Sequence, residues 1–224
     1  YPFSGTGTGL IGEYYDNRDF TNLKVVRLDE TIDIPFSFDP PDPSMGGDHF
    51  SIIWKGFLVP EYTGTYTIYC LADDTFDVKI GNETVLFREE IMDVFHEFSG
   101  HVYLVAGKAY EIVVRMTEDT GAHEIHLKWE SSPAVTKQVI PKENLFPAAH
   151  SIWDGGGADE NWNTAANWSG NVVPNEESIV IFTNNFSSKN AMLNGDVQIR
   201  DLMALSDYSG NINLSDKTLS INGD

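Results

Sequence analysis

Apolar and polar residues alternate with a period of two along most of the chain. In 64–72, Tyr66, Ile68, Cys70 and Ala72 share one register, and 76–80 repeats the pattern as Phe-Asp-Val-Lys-Ile. The same alternation returns in 102–104, 110–116 and 125–129, each placing apolar groups on one face. A period of two predicts half-buried β-strands, and no stretch carries the 3.6-residue period of a long helix. Trp54 and Trp129 alternate with polar neighbours, which assigns them to the core. His126 falls on the polar face of its strand, whereas Tyr14, Tyr15 and Tyr62 are expected at a rim.

Turn residues separate these runs at 60–64, 81–83, 106–108 and 120–122. Residues 39–48 carry three prolines and two glycines, which remove ladder donors and raise chain entropy, so they predict a surface loop. The expected architecture is all-β: an antiparallel β-sandwich or flattened barrel.

Near residues 147–150 the texture shifts from Val/Ile/Tyr-rich strands to a Gly/Asn/Trp segment containing Trp153, Trp162 and Trp168. A domain boundary is expected there, giving domains 1–149 and 150–224. Short strands at 178–182, 197–199, 211–214 and 218–221, separated by Asn, Gly and Asp, suggest the capped first coils of a parallel β-solenoid. The three tryptophans then close the open end of the solenoid, although a sugar-stacking surface would use the same residues. Gly155, Gly156, Gly157 and Asp159 are weakly similar to one calcium-binding nonapeptide repeat. Because the pattern runs up to Gly223-Asp224, a cut from something longer is expected.

Charge narrows the partners. The 224 residues include 14 Lys+Arg against 34 Asp+Glu, a formal charge of −20, and both domains are acidic. Such a field repels phosphate backbones and anionic membranes, so neither nucleic acid nor membrane insertion is expected. The single cysteine, Cys70, lies on an inward register and reads as a small buried hydrophobe, so there is no disulfide framework. The chain opens at Tyr1 without a signal peptide or an apolar run of spanning length, as a mature or excised product would. No nucleophile elbow, P-loop, His-Glu-x-x-His or Cys/His pairing is present, which argues against an enzyme. A hydrolase would have to be assembled from scattered acids such as Glu13, Glu61 and Glu97.

Asp73 and Asp74 stand where one alternating strand gives way to the next, offering two adjacent carboxylates at a sheet end. Hard cations such as calcium take six to eight oxygen ligands, and such a pair with nearby carbonyls supplies several. A plain tight corner would use the same residues, since aspartates hydrogen-bond their own backbone. His123 and His126, both expected to be exposed, have no third ligand at a zinc-site spacing.

Residues 9–15 (Gly-Leu-Ile-Gly-Glu-Tyr-Tyr) with Phe20, then 48–60, 64–68, 72–74, Gly81-Asn82, 100–104, 106–110 and Leu127-Lys128-Trp129, together resemble the anthrax-protective-antigen-type domain over residues 8–147. The resemblance implies a β-sandwich or barrel found in bacterial toxins, glycosidases and adhesins, often as a carbohydrate-binding module. It further implies a cis Asp73–Asp74 peptide holding Ca2+, with sugar hydroxyls completing the shell. The family finishes that shell from the loop equivalent to 117–124, commonly with an Asn. This sequence has none there, so Asp119 is the substitute ligand, with carbonyls near Gly121 and His123 as further metal ligands and His123 beside the sugar. Sugar choice would come from rim loops 39–48 and 88–98.

Residues 153–157, 161–162, 167–170 and 173–174 resemble the opening of repeat segments in autotransporter-like bacterial surface proteins. The expected function is therefore a calcium-dependent, lectin-like carbohydrate-binding module of a secreted or cell-surface bacterial protein. Its partner would be a glycan or polysaccharide, and this piece would be a monomer. The alternatives are a structural or protein-interaction spacer of a surface adhesin and, more remotely, part of a polysaccharide hydrolase.

Overall fold

A computed structural model describes residues 7–89, 96–147, 150–168, 171–176, 178–182, 184, 187–204 and 208–222. The chain divides into two compact units, Tyr1–Ala148 and Ala149–Asp224. Among the described residues there is no α-helix, only strands and two single-turn 3-10 segments, Lys142–Asn144 and Ala165–Asn167.

The first unit holds β1 (Leu10–Tyr15), β2 (Leu23–Asp29), β3 (Asp33–Ser37), β4 (Ser51–Leu58), β5 (Gly64–Asp73), β6 (Thr75–Ile80), β7 (Glu83–Arg88), β8 (Phe98–Leu104), β9 (Tyr110–Thr117), β10 (His123–Ser131), β11 (Val135–Val139) and β12 (Leu145–Pro147). They form a seven-stranded sheet ordered β2-β1-β4-β9-β6-β7, with β12 also on β4, and a five-stranded sheet ordered β11-β10-β5-β8, with β3 also on β10. Every pairing is antiparallel and neither sheet closes on itself, so the unit is a sandwich and not a barrel.

The inward registers meet as the alternation requires. Tyr66, Ile68, Cys70 and Ala72 of β5 share a core with Phe76, Val78 and Ile80 of β6 and Ile112, Val114 and Met116 of β9. Trp54 and Trp129 are both buried in it. Each such aromatic removes roughly 150–250 Å² from water, on the order of 4–6 kcal/mol before ordering entropy is subtracted. The loop at 39–48 carries no strand.

Tyr14 and Tyr15 lie in the interior, contrary to the expectation of a rim. The strand β1 is flanked by β2 and β4, and all six of its residues are buried. The Tyr14 hydroxyl donates to Asp29 Oδ2 at 2.6 Å, and Tyr15 donates to Glu13 Oε2 at 2.6 Å. Asp29 Oδ2 also accepts from Trp54 Nε1 at 2.7 Å. A Cβ at Gly12 would fall 2.5 Å from that same oxygen, so the network excludes any side chain there. Tyr62, in contrast, is exposed.

The second unit contains β13 (His150–Ile152), β14 (Ile179–Phe182), β15 (Ala191–Met192), β16 (Val197–Ile199), β17 (Asp201–Ala204), β18 (Ile212–Asn213) and β19 (Leu219–Ile221). All its strand pairings are parallel: Ile179 faces Asp201, Ala191 faces Ile212 and Val197 faces Leu219. Three successive ladders offset by 21 or 22 residues are two stacked coils of a β-solenoid, β14-β15-β16 beneath β17-β18-β19. Trp153, Trp162 and Trp168 are fully buried and pack around Phe182, with ring centroids 4.7–6.0 Å apart. They fill the core and leave no stacking surface. Asp159 is likewise spent on structure, accepting from the Asn161 amide, Asn161 Nδ2, Thr164 Oγ1 and Asn167 Nδ2.

Candidate functional site

Two chain segments cross between the sheets of the sandwich side by side. The first passes from β5 to β6 through Asp74, and the second from β9 to β10 through residues 118–122. They are stitched to each other and to the approach of β4. The Asp74 amide donates to Thr117 O at 3.1 Å, Glu118 N to Phe50 O at 2.9 Å, and His49 N to Asp119 O at 2.8 Å. The peptide bond between Asp73 and Asp74 is cis.

The acids here have unequal surroundings. Asp73 is half-buried opposite Glu124 of β10, and burial, followed by the Asp74 charge, raises its pKa to about 6. Asp74 is buried and its Oδ2 accepts the Asp119 amide at 2.7 Å. Behind them Glu118 is fully buried, with neither carboxylate oxygen hydrogen-bonded. Burial first, then the charges of Asp74, Asp73, Asp48 and Asp119, push its pKa up to about 8. An unpaired carboxylate inside a protein costs several kcal/mol if ionised, so near neutral pH Glu118 holds its proton unless a positive charge arrives.

The other expected ligands are placed differently. Asp119 Oδ1 is already engaged by Arg18 at 2.8 Å and His49 Nδ1 at 3.1 Å, so its amide, not its carboxylate, reaches Asp74. Gly121 has φ +114°, a backbone that L side chains rarely adopt, and its amide donates to Asp48 Oδ1 at 2.9 Å. His123 is not exposed: 1% of it is accessible, its ring stands edge-on to Phe50 at 5.0 Å, and burial lowers its pKa. His126 sits between Asp33 Oδ1 at 2.5 Å and Glu124 Oε2 at 3.3 Å. Of the rim loops, 39–48 is described, whereas 90–95 of the second lies outside the described residues.

Glu118 and Asp48 are the members that strand patterning overlooked. Glu118 was legible, because it continues the inward register Ile112, Val114, Met116 one step beyond β9. Asp48 is joined to the corner through its hydrogen bond to Gly121, which no spacing reveals.

The donor set is all oxygen and strongly anionic, which suits a hard cation by type. By number it is incomplete: among the described residues no three His, Cys, Asp or Glu groups converge as a metal cage. Asp73 and Asp74 would therefore need carbonyl and water oxygens beside them.

Residues 7–144 match the PA14 domain. The chain belongs to the PA14 domain family. Over 145 residues it is 36% identical to the anti-sigma-I factor RsgI3 of Acetivibrio thermocellus, an alignment covering 65% of this chain and 22% of that protein. Among solved structures it resembles an anti-sigma factor domain-containing protein, with TM-score 0.61 and 34% identity over 64% of this chain and 49% of the other. A second such protein, from Clostridium clariflavum, gives TM-score 0.59 and 33% identity over 62% and 47% of the two chains. The PA14 sugar-binding domain from an RTX adhesin shares the fold at TM-score 0.54 but only 14% identity, over 63% of this chain and 99% of that one.

These likenesses overturn the expected calcium-dependent lectin. The relatives alike at 33–36% identity are anti-sigma factor proteins, and the sugar-binding domain is alike in fold alone. The adhesin reading and the glycan partner fall with it, as do Asp73, Asp74 and His123 in the role of sugar ligands; the buried His123 ring could not meet a sugar in any case. This chain spans about half or less of each anti-sigma relative.

Proposed function

We propose that this chain is the PA14 module of a bacterial regulatory protein of the anti-sigma-factor kind, that it meets a regulatory protein partner, and that it catalyses no reaction. The observation that carries this reading is the 36% identity with an anti-sigma-I factor across the PA14 sandwich. The two anti-sigma factor domain-containing structures support it with the same region.

The acidic corner is the module's cation site in this reading. Asp73 and Asp74 would hold one hard divalent ion, Ca2+ by ligand type, with Glu118 deprotonating behind them to add charge. Bound there, the ion would supply the positive charge that the clustered carboxylates lack. The β5–β6 and β9–β10 crossovers both lead into this corner, so occupancy would stiffen both sheets at one end. The module faces the outside of the cell, where calcium is abundant and a chain whose lone Cys70 is buried needs no disulfide. For residues 150–222, the offset of 21–22 residues between stacked strands supports the opening of a coil array like those of bacterial surface proteins.

A chimera tests the regulatory reading. Residues 7–147 replace the matching segment of the A. thermocellus anti-sigma-I factor, and transcription is read from a reporter under that factor's control. The chimera is expected to keep the regulation of the parent protein, and a chimera that behaves like a protein with the segment deleted would overturn the reading.

A further inference from the structure

The outer face of the seven-stranded sheet carries a concavity that none of the above uses. It has a volume of about 250 Å³ and lies where β6, β7 and β9 meet the loop after β1. Its wall is chemically unlike the rest of the molecule. Of the five arginines in a chain of charge −20, Arg18, Arg88 and Arg115 line it. Asp77 and Glu89 also line it, and Arg18 is already paired with Asp119 at 2.8 Å.

Its aromatic flanks are held in place. Phe20 adopts φ +58°, a left-handed conformation that costs a non-glycine residue free energy and persists only when surroundings enforce it. Its ring packs edge-on to Tyr15 at 5.9 Å and lies 6.0 Å from the Arg115 guanidinium. On the far side Phe87 is 61% exposed, a large ring left in water at the lip of the concavity. Two polar atoms of the wall, Arg18 Nε and Asp77 Oδ2, are shielded from water with no hydrogen-bond partner. Arg115 is exposed and forms no ion pair among the described residues.

An exposed guanidinium and two rings around one small concavity suit a single class of occupant. A carboxylate side chain would accept from Arg115, and a neighbouring aromatic side chain would lie against Phe87 and Phe20. We propose that this concavity is the docking groove for an extended acidic-aromatic peptide segment of a protein partner. It rests on the reading of the chain as a regulatory module with a protein partner, and it gives that partner a surface. The groove selects by charge sign: a molecule whose field repels acidic chains at long range would admit one acidic segment here and, through the rings, require an apolar neighbour beside it.

The test uses the whole chain, 15N-labelled, with the arginine Nε–Hε resonances followed by NMR. The probes are the blocked pentapeptide Ac-Gly-Glu-Phe-Glu-Gly-NH2, its Gln-for-Glu counterpart and free glutamate. The acidic peptide is expected to shift the Arg115 resonance saturably. The Gln peptide and free glutamate should bind at least tenfold more weakly. Arg115→Gln and Phe87→Ser, both at exposed positions, should each weaken the acidic peptide at least tenfold while leaving the melting temperature unchanged. No saturable shift, equal binding of the Gln peptide or of glutamate alone, or equal affinity in both variants would overturn the groove. Peptide binding with a silent chimera would sink only the regulatory reading, whereas a working chimera with no peptide binding would sink only the groove.

Discussion

Asp119 offers its backbone amide to Asp74 Oδ2 at 2.7 Å while its own carboxylate is held by Arg18 at 2.8 Å. The two inter-sheet crossovers are thus joined through one short hydrogen bond to a carboxylate, and Arg18 links the corner to the loop after β1. Glu118, next in sequence to Asp119, is left in the interior without a partner.

That isolation gives the fold a pH dependence of known sign. Glu118 titrates near pH 8 and Asp73 near pH 6 in the folded chain, both above their usual values. The folded state therefore binds more protons than the unfolded one between the usual carboxylate range and about pH 8. The contribution of these two acids to metal-free stability is greatest at or below the usual carboxylate range and falls as pH rises through about 6 and then about 8. Glu118→Gln should remove most of the later fall, melting several degrees above wild type at pH 8.5 and close to it at pH 5. Thermal melts of both proteins across pH in chelator check this, and a Glu118→Gln variant no more stable than wild type at pH 8.5 would contradict it.

Asp29 anchors the opposite region of the sandwich by accepting from Tyr14, Trp54 and Arg27. Asp29→Ala leaves those donors unsatisfied and should destabilise the first unit by about 3–5 kcal/mol. Denaturant unfolding followed by Trp fluorescence reads the loss.

Trp168 is fully buried between Trp153 and Trp162, and its Nε1 donates to Trp162 O at 2.6 Å. Trp168→Ala should cost the second unit about 3–5 kcal/mol, the range for deleting a large core aromatic. Hydrogen exchange should show β14 to β19 losing protection while β5 and β10 keep theirs.

Cys70 is buried, and burial pushes its thiol far above the ordinary range. A thiol reagent at pH 8 should label the native chain at least a hundredfold more slowly than the chain in denaturant, as measured by mass spectrometry.

Alternation made most of the sandwich readable, because a period of two on a half-buried sheet fixes which residues face inward; Tyr66 to Ala72 and Trp54 follow it. The rim expected for Tyr14 and Tyr15 is not found, because β1 lies between β2 and β4 with every residue buried, so an outward register is also a buried one. His123 failed for a related reason, being the first residue of β10 and already packed on Phe50. Asp73 and Asp74 were legible as a corner because a strand ends there. What the corner serves was not, since a shared fold carries different functions and the distinction lay in overall likeness to anti-sigma factor proteins, not in any one side chain.

Calorimetric titration of the chelator-treated chain with calcium chloride at pH 7 tests the central claim, that neighbouring acids at this sheet crossover form a cation site in a regulatory module. One saturable site per chain is expected, with proton release seen as a buffer-dependent heat, and with binding lost in Asp74→Asn while the fold is retained. A flat titration of the folded wild type, or an unchanged isotherm for Asp74→Asn, would contradict it.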